Sequence, residues 1–378
     1  MTEREALIAL NRVAGLGAVT LKRLIEAFGA AAALPDRRAQ ELLAVPGIGR
    51  ERAEAFGREF GALRWDDELE QAARLNVTLT TWADAAYPAM LKEIADPPLV
   101  LYTAGDPAAL AGPSIAVIGT RHPTIYGRET SRRFGFQLAG AGYVVVSGLA
   151  LGIDTEAHRG AVQARGRTVA VVGGALDCLY PRENKELARE LAAMGGAVVS
   201  EYPFGRQPDR QTFPMRNRIV SGLCRGVVVI EAPFNSGTMI TVDQALDQGR
   251  TVMAVPGRID SPASQGCHKL LRAGARLVTS ADEIADEIQE LVPRACDRPR
   301  PHPSAAGADG AVEDAARPAA PESPDERRVL GAIGAEEVHI DSVIHGSGLP
   351  AGLVNALLVG LQIKRRVKLL PGGMVRKS

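Results

Sequence analysis

Between Leu99 and about Leu291, six short runs rich in valine and isoleucine alternate with segments of helical periodicity: SIAVIG from Ser114, YVVVSG from Tyr143, TVAVVG from Thr168, AVVSE from Ala197, GVVVIEA from Gly226 and TVMAVPG from Thr251. The runs are continuously apolar rather than alternating, so the strands they form need cover on both faces. Strands of that kind, separated by helices, require a parallel sheet with a helical layer on either side. The pattern predicts an α/β fold with an extended Rossmann-like, doubly wound and mostly parallel sheet over residues 76–292.

The flanks follow other rules. Residues 1–75 are alanine-rich and carry two similar turns, GLGAVTLKRLIEAFG from Gly15 and VPGIGRERAEAFG from Val45. Each sets Gly-x-Gly just before an apolar-periodic helix, which predicts paired helices joined by tight hairpins, a sterile-alpha-motif-like or helix-hairpin-helix domain. Residues 293–324 are rich in proline, alanine and aspartate and lack leucine, isoleucine and aromatics, so they read as a disordered tether. Over 325–378, helix, turn and helix precede two strands, RVKLL and MVRK, around Pro371-Gly372-Gly373, the outline of a winged helix.

Charge and composition narrow the function. The 44 Lys+Arg and 44 Asp+Glu of this 378-residue chain give a formal net charge of +0, which excludes adhesion to nucleic acid or membrane by bulk charge and leaves room for a local basic site. Aromatics are only 4% of residues, which disfavours bases read by rows of stacked rings. The four cysteines, Cys178, Cys224, Cys267 and Cys296, form no CxxC pair, so neither a disulfide framework nor a zinc site is expected. No run approaches a membrane span of about 18 apolar residues, and a charged N-terminus does not resemble a signal peptide; the expected location is the cytoplasm, with no membrane partner.

Ligands of open α/β sheets bind outside the carboxyl ends of the strands. Those ends lead into Gly119-Thr120-Arg121, the SGLALGIDTEAH loop from Ser147, Gly173-Gly174 and EAPFNSGTMIT from Glu231, all rich in small residues that let an anion approach backbone amides. Neither G-x-G-x-x-G after the first strand nor G-x-x-x-x-G-K-[ST] anywhere is present, so a nucleotide cofactor is not expected. From Phe204 to Gly226, five arginines (206, 210, 216, 218 and 225) meet a single acid, Asp209, around Phe213. A phenyl ring among guanidinium groups suits an unpaired base beside its backbone, although a core ring and structurally paired arginines would give the same pattern.

The ordered motifs GTRHPTIYGRE, VVSGLALGIDTEAHRGA, TVAVVGGALDCLYPRENKEL, FPMRNRIVSGL, EAPFNSGTMITVDQALDQGR and VMAVPGRIDSPASQGCHKLLRAGA resemble the DNA processing protein A (DprA/Smf) family over nearly all of residues 85–280. The resemblance implies a domain that binds single-stranded DNA without strong sequence preference, forms a homodimer through the Rossmann domain and loads RecA recombinase onto incoming strands during natural transformation. It implies no catalytic turnover and no cofactor. Carried over position by position, the implied DNA contacts are Gly119, Thr120 and Arg121, Gly148, Phe213, Arg216, Asn217 and Arg218, Ser236, Gly237 and Thr238, and Lys269. Leu151, Met215 and Asn235 stand where relatives often have arginine, and His268 replaces a usual asparagine. Fewer cations mean fewer phosphate contacts.

Two further readings bear on function. A lysine-decarboxylase-like phosphoribohydrolase, built on a similar sheet, would need P-G-G-x-G-T-x-x-E, whereas this chain has PFNSGT followed by Met239, Ile240 and Thr241. Asp154 and His158, four apart on a predicted helix, are the remaining pair with acid–base potential. At the C-terminus, Lys364, Arg365, Arg366, Lys368, Arg376 and Lys377 favour auxiliary, nonspecific duplex or partner contacts through the wing of the terminal domain.

Overall fold

The computed structural model describes residues 1–289, 324–334, 338–351, 366–370 and 374–377, together with Leu353, Val354, Leu357, Leu358 and Leu361. The chain divides into two compact units, Met1–Asp297 and Arg298–Ser378. Apart from Pro324, the tether expected over 293–324 lies outside the described residues.

The first unit opens with helices α1 (Glu3–Leu10), α2 (Ala18–Phe28), α3 (Ala39–Leu42), α4 (Arg50–Phe60) and α5 (Asp66–Arg74). The sheet strands are β1 (Val77–Thr81), β2 (Val100–Gly105), β3 (Ser114–Ile118), β4 (Val144–Ser147), β5 (Thr168–Val171), β6 (Ala197–Ser200), β7 (Gly226–Val229), β8 (Thr251–Ala254) and β9 (Arg276–Leu277). Between them run α6 (Ala89–Lys92), α7 (Ile125–Gly140), α8 (Ile153–Gln163), α9 (Lys185–Ala193), α10 (Thr212–Gly222), α11 (Gly237–Asp247) and α12 (Gln265–Arg272), with α13 (Ala281–Gln289) after β9.

The strand order is β1-β2-β6-β5-β4-β3-β7-β8-β9. The pairs from β6 to β9 are parallel, while β1 and β2 run antiparallel at one edge. All six runs read as strands are strands of this sheet. Its two faces feed different cores because successive side chains of a strand alternate. Ile115, Val117, Val145, Val228 and Met253 pack with Phe134, Leu138 and Ile153 on one side. Ala116, Val146, Val227, Val229 and Ala254 pack with Ile219, Val242 and Leu270 on the other.

The N-terminal helices share a core with the antiparallel edge: Leu7, Leu21, Phe56 and Phe60 cluster with Leu79, Val100 and Tyr102. The two Gly-x-Gly turns brace each other. Arg52 of α4 donates to the Gly15 carbonyl at 2.6 Å, and Arg23 of α2 donates to the Pro46 carbonyl at 3.4 Å.

In the second unit α14 (Pro324–Ala332) and α15 (Ile340–Ser347) accompany β10 (Val338–His339), β11 (Val367–Leu370) and β12 (Met374–Lys377) in the order β10-β12-β11. Val354, Leu358 and Leu361 are buried with Val329, Val343, Val367 and Val375. This is a winged helix with one more short strand than the sequence pattern indicated. Among the described residues, no helix is long and apolar enough to cross a membrane.

Candidate nucleic-acid interface

Strands β3, β4, β5 and β6 are laid down in one direction across the sheet, and β7, β8 and β9 continue on the other side of β3. The boundary between β3 and β7 is therefore a topological switch point, where the loops after adjacent strands diverge and leave a crevice. The two loops at this point are joined. The Thr120 amide donates to the Glu231 carbonyl at 2.7 Å, and the buried Glu231 carboxylate accepts from the Thr124 amide and hydroxyl, fixing the start of α7. The loop after β4 is pressed against the same place: the Ile153 amide donates to the Thr120 carbonyl. Gly152 makes this possible with φ +86, because a Cβ there would lie 2.5 Å from the Thr120 oxygen.

Arg121 stands exposed on this rim with its guanidinium carbon 5.4 Å from the centre of the Phe213 ring. Gly119 is half-buried and Thr120 is buried, with its hydroxyl accepting from the His122 amide. Phe213, Arg216, Asn217 and Arg218 all lie on α10. At about 100° per residue, Phe213, Arg216 and Asn217 fall on one face and Arg218 about 140° away from Phe213.

Arg216 is buried and donates to the carbonyls of Gly148 and Val171. Burial pushes its guanidinium down to about 10, offset in part by the Asp154 carboxylate. Asp154 in turn accepts from the amides of Gly148 and Ala150, and burial raises its carboxyl above the ordinary range against the pull of Arg216. Both backbone groups of Gly148 are thus engaged inside the protein, and this residue positions Arg216 instead of presenting an amide to the rim.

Arg218 also departs from the expected groove. Its side chain, 6% exposed, meets Glu201 through Nη1 at 2.8 Å and Nη2 at 2.6 Å, and its Nε reaches Asp96 at 2.9 Å. Two carboxylates at hydrogen-bonding distance neutralise the charge a phosphate would have met, which is the structural pairing left open by the sequence.

A second cluster sits after β7. Ser236 stands at the N-cap position of α11 in extended backbone without a side-chain capping bond, and the amides of Gly237 and Thr238 have no partner among the described residues. The Gly266 amide donates to the Ala232 carbonyl, which brings α12 alongside, and exposed Lys269 there lies 4.9 Å from the centre of the half-exposed Phe234 ring. His268 holds the loop after β8 through Nε2 and the Gly257 carbonyl. The rim thus combines two exposed cations, two aromatic surfaces and an open helix start, an arrangement able to hold phosphates and ring faces together.

The family model for DNA recombination-mediator protein A matches residues 78–289, and that for the DprA winged helix domain matches residues 313–373. The chain belongs to the DNA processing protein A (DprA/Smf) family. Protein Smf of Synechocystis is 33% identical over 391 residues, which covers 98% of each protein. The X-ray structure of DNA processing protein A (DprA) from Streptococcus pneumoniae superposes with a TM-score of 0.66 at 35% identity, over 76% of this chain and 98% of that one. DNA processing protein A from Helicobacter pylori, whose structure was described for its single-stranded DNA binding mode, matches with a TM-score of 0.51 at 30% identity, over 56% of this chain and 96% of that one.

Within this DprA-family fold the three departures at often-basic positions are exposed: Leu151 is 41% and Met215 49% exposed, and Asn235 is exposed too. The same rim holds residues the sequence reading passed over. Tyr180 touches Phe213 with ring centres 5.9 Å apart, and Phe234 carries Lys269. Both lie inside the motifs that carried the resemblance, YPREN and PFNSGT, and an aromatic next to a small-residue loop was the available signal.

Asp154 and His158 do not form an acid–base site. His158 is wholly buried, with Nδ1 at 2.7 Å from the Thr168 hydroxyl, while Asp154 is occupied by backbone amides.

Proposed function

We propose that this protein binds single-stranded DNA with little base preference along the carboxyl rim of its sheet. Phosphates would be held by Arg121, Lys269 and the open amides of the Ser236 turn, with Gly119, Thr120 and Asn217 shaping the floor and the Phe213 ring anchoring an aromatic cluster on which an unpaired base could stack. Arg216 acts from beneath the rim, as a fixed buried charge. The observation that carries this reading is that the loop bearing Arg121, whose guanidinium covers Phe213, is hydrogen-bonded through Thr120 to Glu231 at the head of the loop that leads to the Ser236 turn. The Helicobacter pylori relative's single-stranded DNA binding mode supports it. Bases in a duplex hide their faces, so a rim that combines rings with cations favours unpaired strands.

The reading extends, on family membership, to a cytoplasmic homodimer that helps load RecA onto strands taken up in natural transformation, without catalytic turnover. The engagement of the Asp154 and Glu231 carboxylates by amides and hydroxyls, and the complete burial of His158, weigh against phosphoribohydrolase chemistry, because none of these groups is presented to a ligand at the rim. The deciding experiment is competition of unlabelled single strand, duplex and mononucleotide against one labelled oligonucleotide. Single strand should displace the label at the lowest concentration, and equal displacement by duplex or by mononucleotide would overturn the proposal.

A further inference from the structure

The Phe213 ring is enclosed on three sides. It lies on bare backbone at Gly173, where a Cβ would come within 2.9 Å of its Cδ1. The Arg121 guanidinium covers it at 5.4 Å, and the Tyr180 ring leans against it at 5.9 Å with an angle of 54° between the planes. Phe213 is accordingly half-buried, whereas Tyr180 is 51% exposed.

A base cannot slip between these two rings. Stacking between parallel faces needs about 7 Å, twice a contact distance of about 3.5 Å, and the ring centres are already closer than that and inclined. The ring surface open to an incoming base therefore belongs chiefly to Tyr180.

We propose that Tyr180 is a base-stacking residue of the rim, with Phe213 as the backing ring that holds its orientation. The inference rests on the single-strand reading and sharpens it: the ligand is an unpaired nucleobase with a free face, and a bare phosphodiester chain would gain nothing from Tyr180. Arg121, beside the same rings, would take the adjoining phosphate, so base and backbone contacts fall within one nucleotide step.

The test measures affinity of the full chain for an oligodeoxyadenylate and for an abasic oligomer of the same length, at one salt concentration. Tyr180→Ala should weaken binding of the base-bearing strand by about 5- to 150-fold, the range for one lost stack, and leave the abasic strand unaffected. Tyr180→Phe should bind like the parent. Tyr180→Leu, which can still pack on Phe213 but has no flat face, should behave like the alanine variant. The inference is overturned if Tyr180→Ala keeps parental affinity for the base-bearing strand, if both probes weaken equally, or if leucine substitutes for tyrosine. A parent that binds neither probe would instead refute the single-strand reading itself.

Discussion

Arg216 and Arg218, two positions apart on α10, show how burial decides what a cation can do. Arg218 lies between Glu201 and Asp96 with its charge answered, so Arg218→Ala should leave two carboxylates without their partner and cost about 3–5 kcal/mol of stability in chemical denaturation. In the folded fraction of that variant, the salt dependence of single-strand binding should be unchanged. Arg121→Ala should do the reverse, keeping stability while reducing the slope of log affinity against log salt by about 0.7, the value for one lost phosphate contact on a single strand. His158 gives a pH signature. Burial, and then the field of Arg216, lowers its imidazole from 6.5 to about 3 in the folded state. Below pH 6.5 the unfolded chain takes up a proton that the folded one refuses, so the stability linked to this group is complete above 6.5 and is lost as pH falls toward 3. That loss should approach about 1.4 kcal/mol per pH unit, and His158→Gln should flatten denaturation midpoints across the window.

At the scale of elements, α10 and the loop between β4 and α8 carry the geometry of the candidate site. The helical period places Phe213, Arg216 and Asn217 on one face and turns Arg218 away, information present in the spacing once α10 is recognised as a helix. The tertiary partners Glu201 and Asp96, 17 and 122 residues away along the chain, were not legible from any local pattern. The strands followed the same division: the continuously apolar β3 to β8 announced themselves, whereas β1 reads VTLTT and β9 is a two-residue, exposed Arg-Leu. Gly152 locks the α8 start against the Thr120 carbonyl at a positive φ. Gly152→Ala should therefore destabilise the chain by at least about 1 kcal/mol, visible as a lowered melting temperature, because both backbone conformation and contact distance oppose a side chain there.

At the scale of the whole molecule, a net charge of +0 means that binding must come from the placement of charges, not from their sum. The rim belongs wholly to the first unit, whose cores include the N-terminal helices and both faces of the sheet. A chain ending at Asp297 should therefore retain most of its single-strand affinity in gel-shift titrations. Any contribution of the winged helix should appear as a moderate loss, and complete loss would transfer the principal site to the second unit.

The sequence by itself determined the α/β architecture and the family, and pointed to the strand ends as the candidate site, because apolar periodicity and ordered motifs are local properties that each segment carries wherever it folds. Only the tertiary structure decided which arginines are free. Arg121 stays at the surface over Phe213, Arg216 is buried beneath it and Arg218 is neutralised, since a guanidinium's availability depends on carboxylates and carbonyls brought to it from distant parts of the chain.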